Sequence, residues 1–294
     1  MFWKQITLIG MGLLGGSLAL AAKERHLARR VVGYVRREAS LADCQQLGLA
    51  DLVTMDLAEA VAGADLVVFC TPIRQMRSLA ECFAPLLAPG TIVTDVGSAK
   101  KALVHDLTPF FARHRVHFVG SHPMAGGEKT GPSAAVGNLF DNAVCVVTPG
   151  DGVSPAAVRK VERFWKALGG RVLRLPPGRH DALAACSSHL PHLVASALAA
   201  HVLNPQHPRD LATLCATGFR DTTRVASGSP EMWKDIVIEN RTALLRQLRA
   251  FVRQLRDLEK LVESGNEKRL LKFFSDAKAR RDGWLAHAAS PSPE

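Results

Sequence analysis

The sequence predicts an α/β fold: a doubly wound Rossmann-type N-terminal domain, mostly parallel, followed by an all-helical C-terminal domain. Three observations carry this. Short runs rich in Val, Ile and Leu alternate with helix-period segments over roughly the first 150 residues. A glycine-rich turn, Gly10-Met11-Gly12-Leu13-Leu14-Gly15, directly follows the first of those runs. Past Pro176-Pro177-Gly178 the chain becomes rich in Ala and Leu at helical spacing, with no convincing strand.

Each element has its own signal. Ile6-Thr7-Leu8-Ile9 reads as a strand and residues 13–23 as the helix after the glycine turn. Val31-Val32-Gly33-Tyr34-Val35 is a second strand. Leu66-Val67-Val68-Phe69-Cys70 is continuously apolar, which suits a strand buried on both faces, and it stops at Thr71-Pro72. Residues 91–96 form a strand ending at Gly97-Ser98, and residues 143–148 complete the series. Val116-His117-Phe118-Val119 runs into a loop, Gly120-Ser121-His122-Pro123-Met124-Ala125-Gly126, where Gly and Pro forbid helix. The predicted domains are residues 1–175 and 176–286, with a disordered tail over 287–294. Apolar residues at helical spacing from Arg241 to Arg281, interleaved with charge, predict one long amphipathic helix.

The bulk numbers narrow the function. The 294 residues are 47% hydrophobic and 22% charged, an ordinary globular balance. No apolar run reaches the roughly 18 residues of a membrane span, and the chain enters its first strand too early to leave room for a signal peptide. The six cysteines are scattered without a C-x-x-C pair, so neither zinc nor a disulfide framework is expected. Buried free thiols in a reducing cytoplasm are. The net charge of +10 lies largely in the C-terminal segment. It reads as a solvated helix face, not as a nucleic-acid surface, because no recognition motif accompanies it.

The turn Gly10-Met11-Gly12-Leu13-Leu14-Gly15 fits G-x-G-x-x-G, with a strand before it, a helix after it and a second strand following. Its glycines permit the tight turn, the approach of a pyrophosphate and close helix–strand packing. The second strand ends Val35-Arg36-Arg37, with no acid for a ribose 2′-hydroxyl. The two guanidinium groups suit a 2′-phosphate, so NADP is favoured over NAD, while nearby Glu38 leaves NAD open. Thr71 and Pro72 are expected to pass near the cofactor. Ligands sit at strand ends in such sheets, which makes His122 the first candidate for moving a proton. The plainer alternative is a buried loop histidine bonded to backbone. Ser98, at another strand end, adds a hydroxyl.

At this point three motifs combine. The glycine turn, Asp95-Val96-Gly97-Ser98-Ala99-Lys100 and Ser121-His122-Pro123-Met124-Ala125-Gly126 together resemble the prephenate/arogenate (cyclohexadienyl) dehydrogenases of tyrosine biosynthesis. Ser188-His189-Leu190-Pro191-His192 and Arg220-Asp221-Thr222-Thr223-Arg224-Val225-Ala226, then Met232-Trp233, resemble that family's helical domain. The resemblance implies oxidative decarboxylation of a cyclohexadienol with hydride transfer to NAD(P)+. It implies that His122 accepts the hydroxyl proton and that Ser98 orients both the histidine and the nicotinamide. Arg224 would hold a substrate carboxylate. Ser188 and His192 would line the pocket, Glu128 and Asp221 would gate it, and Trp233 would wall it. His180-Asp181 matches a family pair of structural or supporting character. The His189/His192 spacing alone could suggest a metal, but no third ligand is evident.

The resemblance also implies a homodimer through the helical half and a small dianionic substrate, with no nucleic-acid or membrane partner. With no chorismate mutase segment before it or regulatory segment after it, the chain is expected to be monofunctional. Gly127, which offers no side chain to an amine, favours prephenate or use of both substrates, and arogenate stays open. Two rivals share the glycine turn. One is a β-hydroxyacid or 6-phosphogluconate-type dehydrogenase, whose interdomain lysine motif is not evident here. The other is a dinucleotide-sensing regulator, which needs no proton acceptor.

Overall fold

The computed structural model describes residues 3–127, 129–207 and 210–289. Alternating apolar runs and helices build an eight-stranded sheet in the order β3-β2-β1-β4-β5-β6-β7-β8. The first half comprises β1 (Trp3–Ile9), α1 (Leu13–Glu24), β2 (Ala28–Tyr34), α2 (Glu38–Gln46), β3 (Leu52–Thr54), α3 (Leu57–Val61), β4 (Leu66–Phe69) and α4 (Ile73–Phe83). Next come β5 (Ile92–Asp95), α5 (Lys101–Arg113), β6 (His117–Pro123), β7 (Val144–Pro149), α6 (Pro155–Ala167) and β8 (Arg171–Arg174). All neighbouring strands pair in parallel except β6 and β7. The sequence showed neither β3 nor β8. Both are short, and β8 is a largely exposed edge strand without an apolar run.

Side-chain alternation divides the core in two. Ile6, Leu8, Leu66 and Val68 pack on one face with Leu18 of α1 and Phe164 and Trp165 of α6. Ile9, Val67, Phe69 and Val93 face the other way, against Met76 and Phe83 of α4 and Leu107 and Phe111 of α5. Helices therefore cover both faces, and the strand order turns back between β1 and β4, which places a ligand crevice at their carboxyl ends.

Beyond β8, the described residues are helical or irregular. The helical elements are α7 (Pro177–Ala184), a π-helical turn (Ala185–His189), α8 (Leu190–Val202), α9 (Asp210–Thr213), α10 (Thr217–Thr223), a 3-10 turn (Arg224–Ser227), α11 (Pro230–Glu239), α12 (Arg241–Glu263) and α13 (Glu267–Ala289). The chain forms two compact units, one up to Leu244 and one from Leu245 onward. The first holds the whole sheet and the helices through the start of α12.

Four expectations are corrected. His122 lies inside strand β6, not in a loop, because antiparallel β7 extends the ladder: Ser121 pairs with Val147 and His122 with Val146. The long C-terminal helix is two helices. Gly265 breaks it with a left-handed φ of +57°, its N–H bonding Val262 O, and the Asn266 side chain accepts the Arg269 N–H to start α13. Helix α13 continues through Ala289 into the expected tail, whose residues 290–294 lie outside those described. All six cysteines are free, but Cys82 and Cys186 are exposed, Cys70 and Cys215 half-buried, and only Cys44 and Cys145 buried. One continuous helix, Pro177–Val202, is long and apolar enough to cross a membrane by length and composition. It carries buried His180, Asp181, His189 and His192, the first three hydrogen-bonded within the first unit.

Candidate active site

The glycine turn forms a cradle. Gly10 takes φ +102° to leave β1, and a Cβ on Gly15 would stand 1.9 Å from the Gly10 carbonyl oxygen, so glycine lets α1 pack directly on the turn. At Gly12, which precedes α1, a Cβ would meet only open space. An approaching pyrophosphate would find the free N–H groups of the α1 terminus there. Met11 is buried against Gly33, while Leu13 and Leu14 are half-buried, so these three shape the turn by packing. Across the switch point, the Thr71 hydroxyl is buried without a partner and its methyl abuts Gly10, while Pro72 is exposed ahead of α4. An orphaned buried hydroxyl beside an open glycine cradle fits a dinucleotide. At the end of β2, Val35 is buried, and Arg36 and Arg37 are both exposed.

His122 is 7% exposed, and a chain of hydrogen bonds fixes it. Its Nδ1 lies 2.8 Å from Nε2 of His180, whose Nδ1 lies 2.8 Å from Oδ1 of Asp181. Asp181 in turn accepts the backbone N–H of Lys100 at 2.7 Å and of Lys101 at 2.9 Å, where α5 begins. The carboxylate only accepts, so Nδ1 of His180 carries its hydrogen. With His180 neutral, its Nε2 accepts from Nδ1–H of His122, and the lone pair of His122 falls on Nε2. That nitrogen can take a proton.

Electrostatics keep it available. Burial above all holds His122 well below the ordinary histidine value, with coupling to neighbouring His180, Lys100 and His189 in the same direction. Burial pushes the Asp181 carboxyl up, but the His180 hydrogen bond and the amides of Lys101 and Lys100 outweigh it and hold it down. His189 is lowered to about 4, mainly by burial, against the opposing charge of Asp181. Burial also lowers His192.

Beneath His122 a second network ties β5 to β6. The Lys100 ammonium is fully buried, bonds Asp95 Oδ2 and donates to Ser121 O at 3.0 Å. Asp95 also accepts the N–H of Gly97 and of Ser121, and the Ser121 hydroxyl donates to Asp95 O at 2.6 Å.

The remaining candidates fall into place unequally. Ser98 is half-buried at the end of β5, but the described residues show no hydrogen bond from it to His122. The group orienting the histidine is His180, because it occupies Nδ1. His192 stacks on Trp233 at 3.4 Å between centroids, and Ser188 is half-buried in the π turn. Arg224 is exposed at the head of the 3-10 turn, behind buried Thr223. Asp221 is exposed and pairs with adjacent Arg220 at 3.7 Å, and Glu128 lies outside the described residues. The expected Glu128–Asp221 gate therefore falls partly outside the described residues.

Sequence reasoning passed over Asn240. Its Nδ2 donates to Asp181 O at 2.8 Å and lies 3.2 Å from Nδ1 of His189, joining α11's end to the histidines. It also left Lys100 without a task. The five-residue step from Asp95 to Lys100 was a usable signal, whereas nothing local marks Asn240.

The lowered histidines predict a pH dependence of stability. Above about pH 6.5 the folded and unfolded chains hold these groups alike. Below it the unfolded chain takes up protons that folded His122 and His189 refuse, so stability falls as pH drops from 6.5 toward about 4. Each histidine contributes up to roughly 1.4 kcal/mol per pH unit. Urea midpoints measured across that window test this, and a flat profile contradicts it.

Comparison with known proteins gives the family. The model of the prephenate dehydrogenase nucleotide-binding domain matches residues 18–174, and that of the prephenate dehydrogenase dimerization domain matches residues 176–276. A prephenate dehydrogenase of Bacillus subtilis is 35% identical over 283 residues, covering 95% of this chain and 75% of the relative. A cyclohexadienyl dehydrogenase of Zymomonas mobilis is 36% identical over 282 residues, covering 95% of both. The crystal structure of a prephenate dehydrogenase from A. aeolicus in complex with hydroxyphenyl propionate and NAD+ superposes with a TM-score of 0.90 at 30% identity, covering 96% of this chain and 99% of that one. With the switch-point cradle and the buried histidine already in place, these matches make the chain a member of the prephenate dehydrogenase family of NAD-dependent oxidoreductases.

Proposed function

We propose that this enzyme oxidatively decarboxylates prephenate to 4-hydroxyphenylpyruvate, and accepts arogenate to give tyrosine. The observation that carries the reading is the line from Asp181 through His180 to His122, which leaves a neutral lone pair on His122 Nε2. A bound nicotinamide supplies the hydride acceptor. His122 Nε2 accepts a hydrogen bond from the ring hydroxyl and then its proton as C–H becomes hydride. The ring carboxylate leaves as CO2, its electron pair completes the aromatic ring, and the resulting phenolate oxygen takes the proton back from His122. The half-buried Ser98 hydroxyl assists by bonding the reacting hydroxyl or the nicotinamide amide.

Arg224 is assigned to a substrate carboxylate, an interaction of about 1.5–3 kcal/mol. Ser188, His192 and Trp233 line the side-chain end, where the His192–Trp233 stack forms a flat wall. Glu128 and Asp221 act at the mouth. Gly127 leaves room where an arogenate amine would want a partner, which favours prephenate. The cyclohexadienyl relative supports use of both. The domain boundary is assigned near residue 175, a reading supported by the change from strand β8 to helix α7.

Reduction of NAD(P)+ followed at 340 nm with prephenate and with arogenate tests the reading, and no turnover with either overturns it. His122→Asn is expected to lower kcat by roughly 10²–10⁴-fold with cofactor binding retained. Turnover near the unsubstituted level would remove His122 from proton transfer. Because its pKa is depressed, the acid limb of kcat/KM lies below pH 6.5.

For the cofactor, NADP+ is the preferred form. Arg36 and Arg37 are exposed after β2 and form no ion pair among the described residues, and no acid precedes them. Arg36→Ala is expected to raise KM for NADP+ by roughly tenfold while leaving KM for NAD+ within about twofold. Equal changes for both would place the arginine away from the 2′-phosphate.

The enzyme works as a homodimer through its helical half. Helix Pro177–Val202 is apolar yet largely uncovered in one chain, and Leu203 and Leu214 are exposed beyond it. An isologous interface buries such surface. Light scattering at micromolar concentration is expected to give twice the chain mass, and a sharp monomer contradicts the assignment. The unpaired thiols support a cytoplasmic setting.

A further inference from the structure

We propose that Lys100 is a positioning residue for proton transfer, holding both the backbone that carries His122 and the carboxylate that fixes its tautomer. The inference rests on His122 being the proton acceptor. Lys100 acts from two ends of one residue. Its backbone N–H donates to Asp181 Oδ1, the same oxygen that receives Nδ1–H of His180. Its ammonium donates to the carbonyl of Ser121, the residue before His122, and to Asp95, which in turn holds the Ser121 N–H. A displacement of Lys100 therefore loosens the strand bearing the imidazole and the chain aligning it together.

The placement is costly for a residue with no task. Lys100 is 0% exposed, as is Asp95, so an ammonium and a carboxylate are both fully removed from water. A pair of apolar side chains would fill the same space without desolvating charge. What they could not do is donate to the Ser121 carbonyl or place a positive charge beside the imidazole. Burial pulls Lys100 below its ordinary value, and the charge and hydrogen bond of Asp95 oppose this. The groups facing His122 are His180 from α7, His189 from the π turn and Lys100 from the start of α5, with Asp181 and Asp95 one step behind. Of these, Lys100 also holds the Ser121 carbonyl, and its charge opposes protonation of His122.

The test compares Lys100→Met and Lys100→Arg with the unsubstituted enzyme, using prephenate and NADP+. For Lys100→Met, kcat is expected to fall by roughly 10–100-fold, KM for NADP+ to stay within about twofold, and the acid limb of kcat/KM to move up toward pH 6.5 because the opposing charge is gone. Lys100→Arg keeps a cation and is expected to retain the acid limb. If Lys100→Met does not fold, Lys100→Met with Asp95→Asn removes the orphaned carboxylate and is read in the same way. Loss of kcat with an unmoved acid limb means structural support only and overturns the inference, as does unchanged kcat. Absence of turnover in the unsubstituted enzyme overturns the parent reading instead, and this inference with it.

Discussion

The carboxylate of Asp181 is the constraint on which the site depends. It sits in the helical half yet accepts two backbone amides at the start of α5, in the sheet half. Its side chain is nearly buried, so an unpaired charge there would be severely unfavourable. Three donors, two of them amides at a helix N-terminus, remove that penalty. The arrangement ties the two parts of the first unit together. It also defines one direction of hydrogen bonding, from His122 to His180 to Asp181, and so decides which imidazole nitrogen carries the lone pair.

The second electrostatic choice is to keep the histidines neutral. His122, His189 and His192 are all shifted down, with burial the leading cause in each. A lowered imidazole is a weaker base, but it stays unprotonated near neutral pH and so is free to accept a proton. Buried Lys100, near His122, is matched to Asp95. Breaking such a buried pair on one side costs about 3–5 kcal/mol, which makes the pair rigid as well as charged.

The fold was legible where periodicity is strong. The continuous apolar run of β4 and the glycine turn after β1 located the nucleotide half, because buried parallel strands and phosphate turns leave unmistakable local patterns. Legibility failed where partners are distant. The strand through His122 was hidden because Gly120 and Pro123 read as loop residues, and only pairing with β7 extends the ladder. The hydrogen bond between His122 and His180 was hidden for the same reason, since residues 58 apart in sequence meet only once the helix docks. The break at Gly265 was readable in principle, with Ser264, Gly265 and Asn266 in a row, but the charge pattern on either side continued smoothly across it.

The π turn settles how one helix presents three histidines. His189 lies nine residues after His180, which in an unbroken α-helix is half a turn away, on the opposite side. A π bulge inserts one residue, equivalent to rotating the rest of the helix back by roughly 100°. That rotation brings His189 and, three residues on, His192 toward the side on which His180 reaches His122. Pro191 supplies a local reason for the bulge, because its missing N–H and its ring both disfavour the α-helical bond to the residue four before it, Ser187. Asn240 then closes the cluster by donating to His189 Nδ1, so the hydrogen of that imidazole falls on Nε2, a buried donor with no partner among the described residues. The same proline that looks out of place in a helix is therefore what lets its histidines share a face.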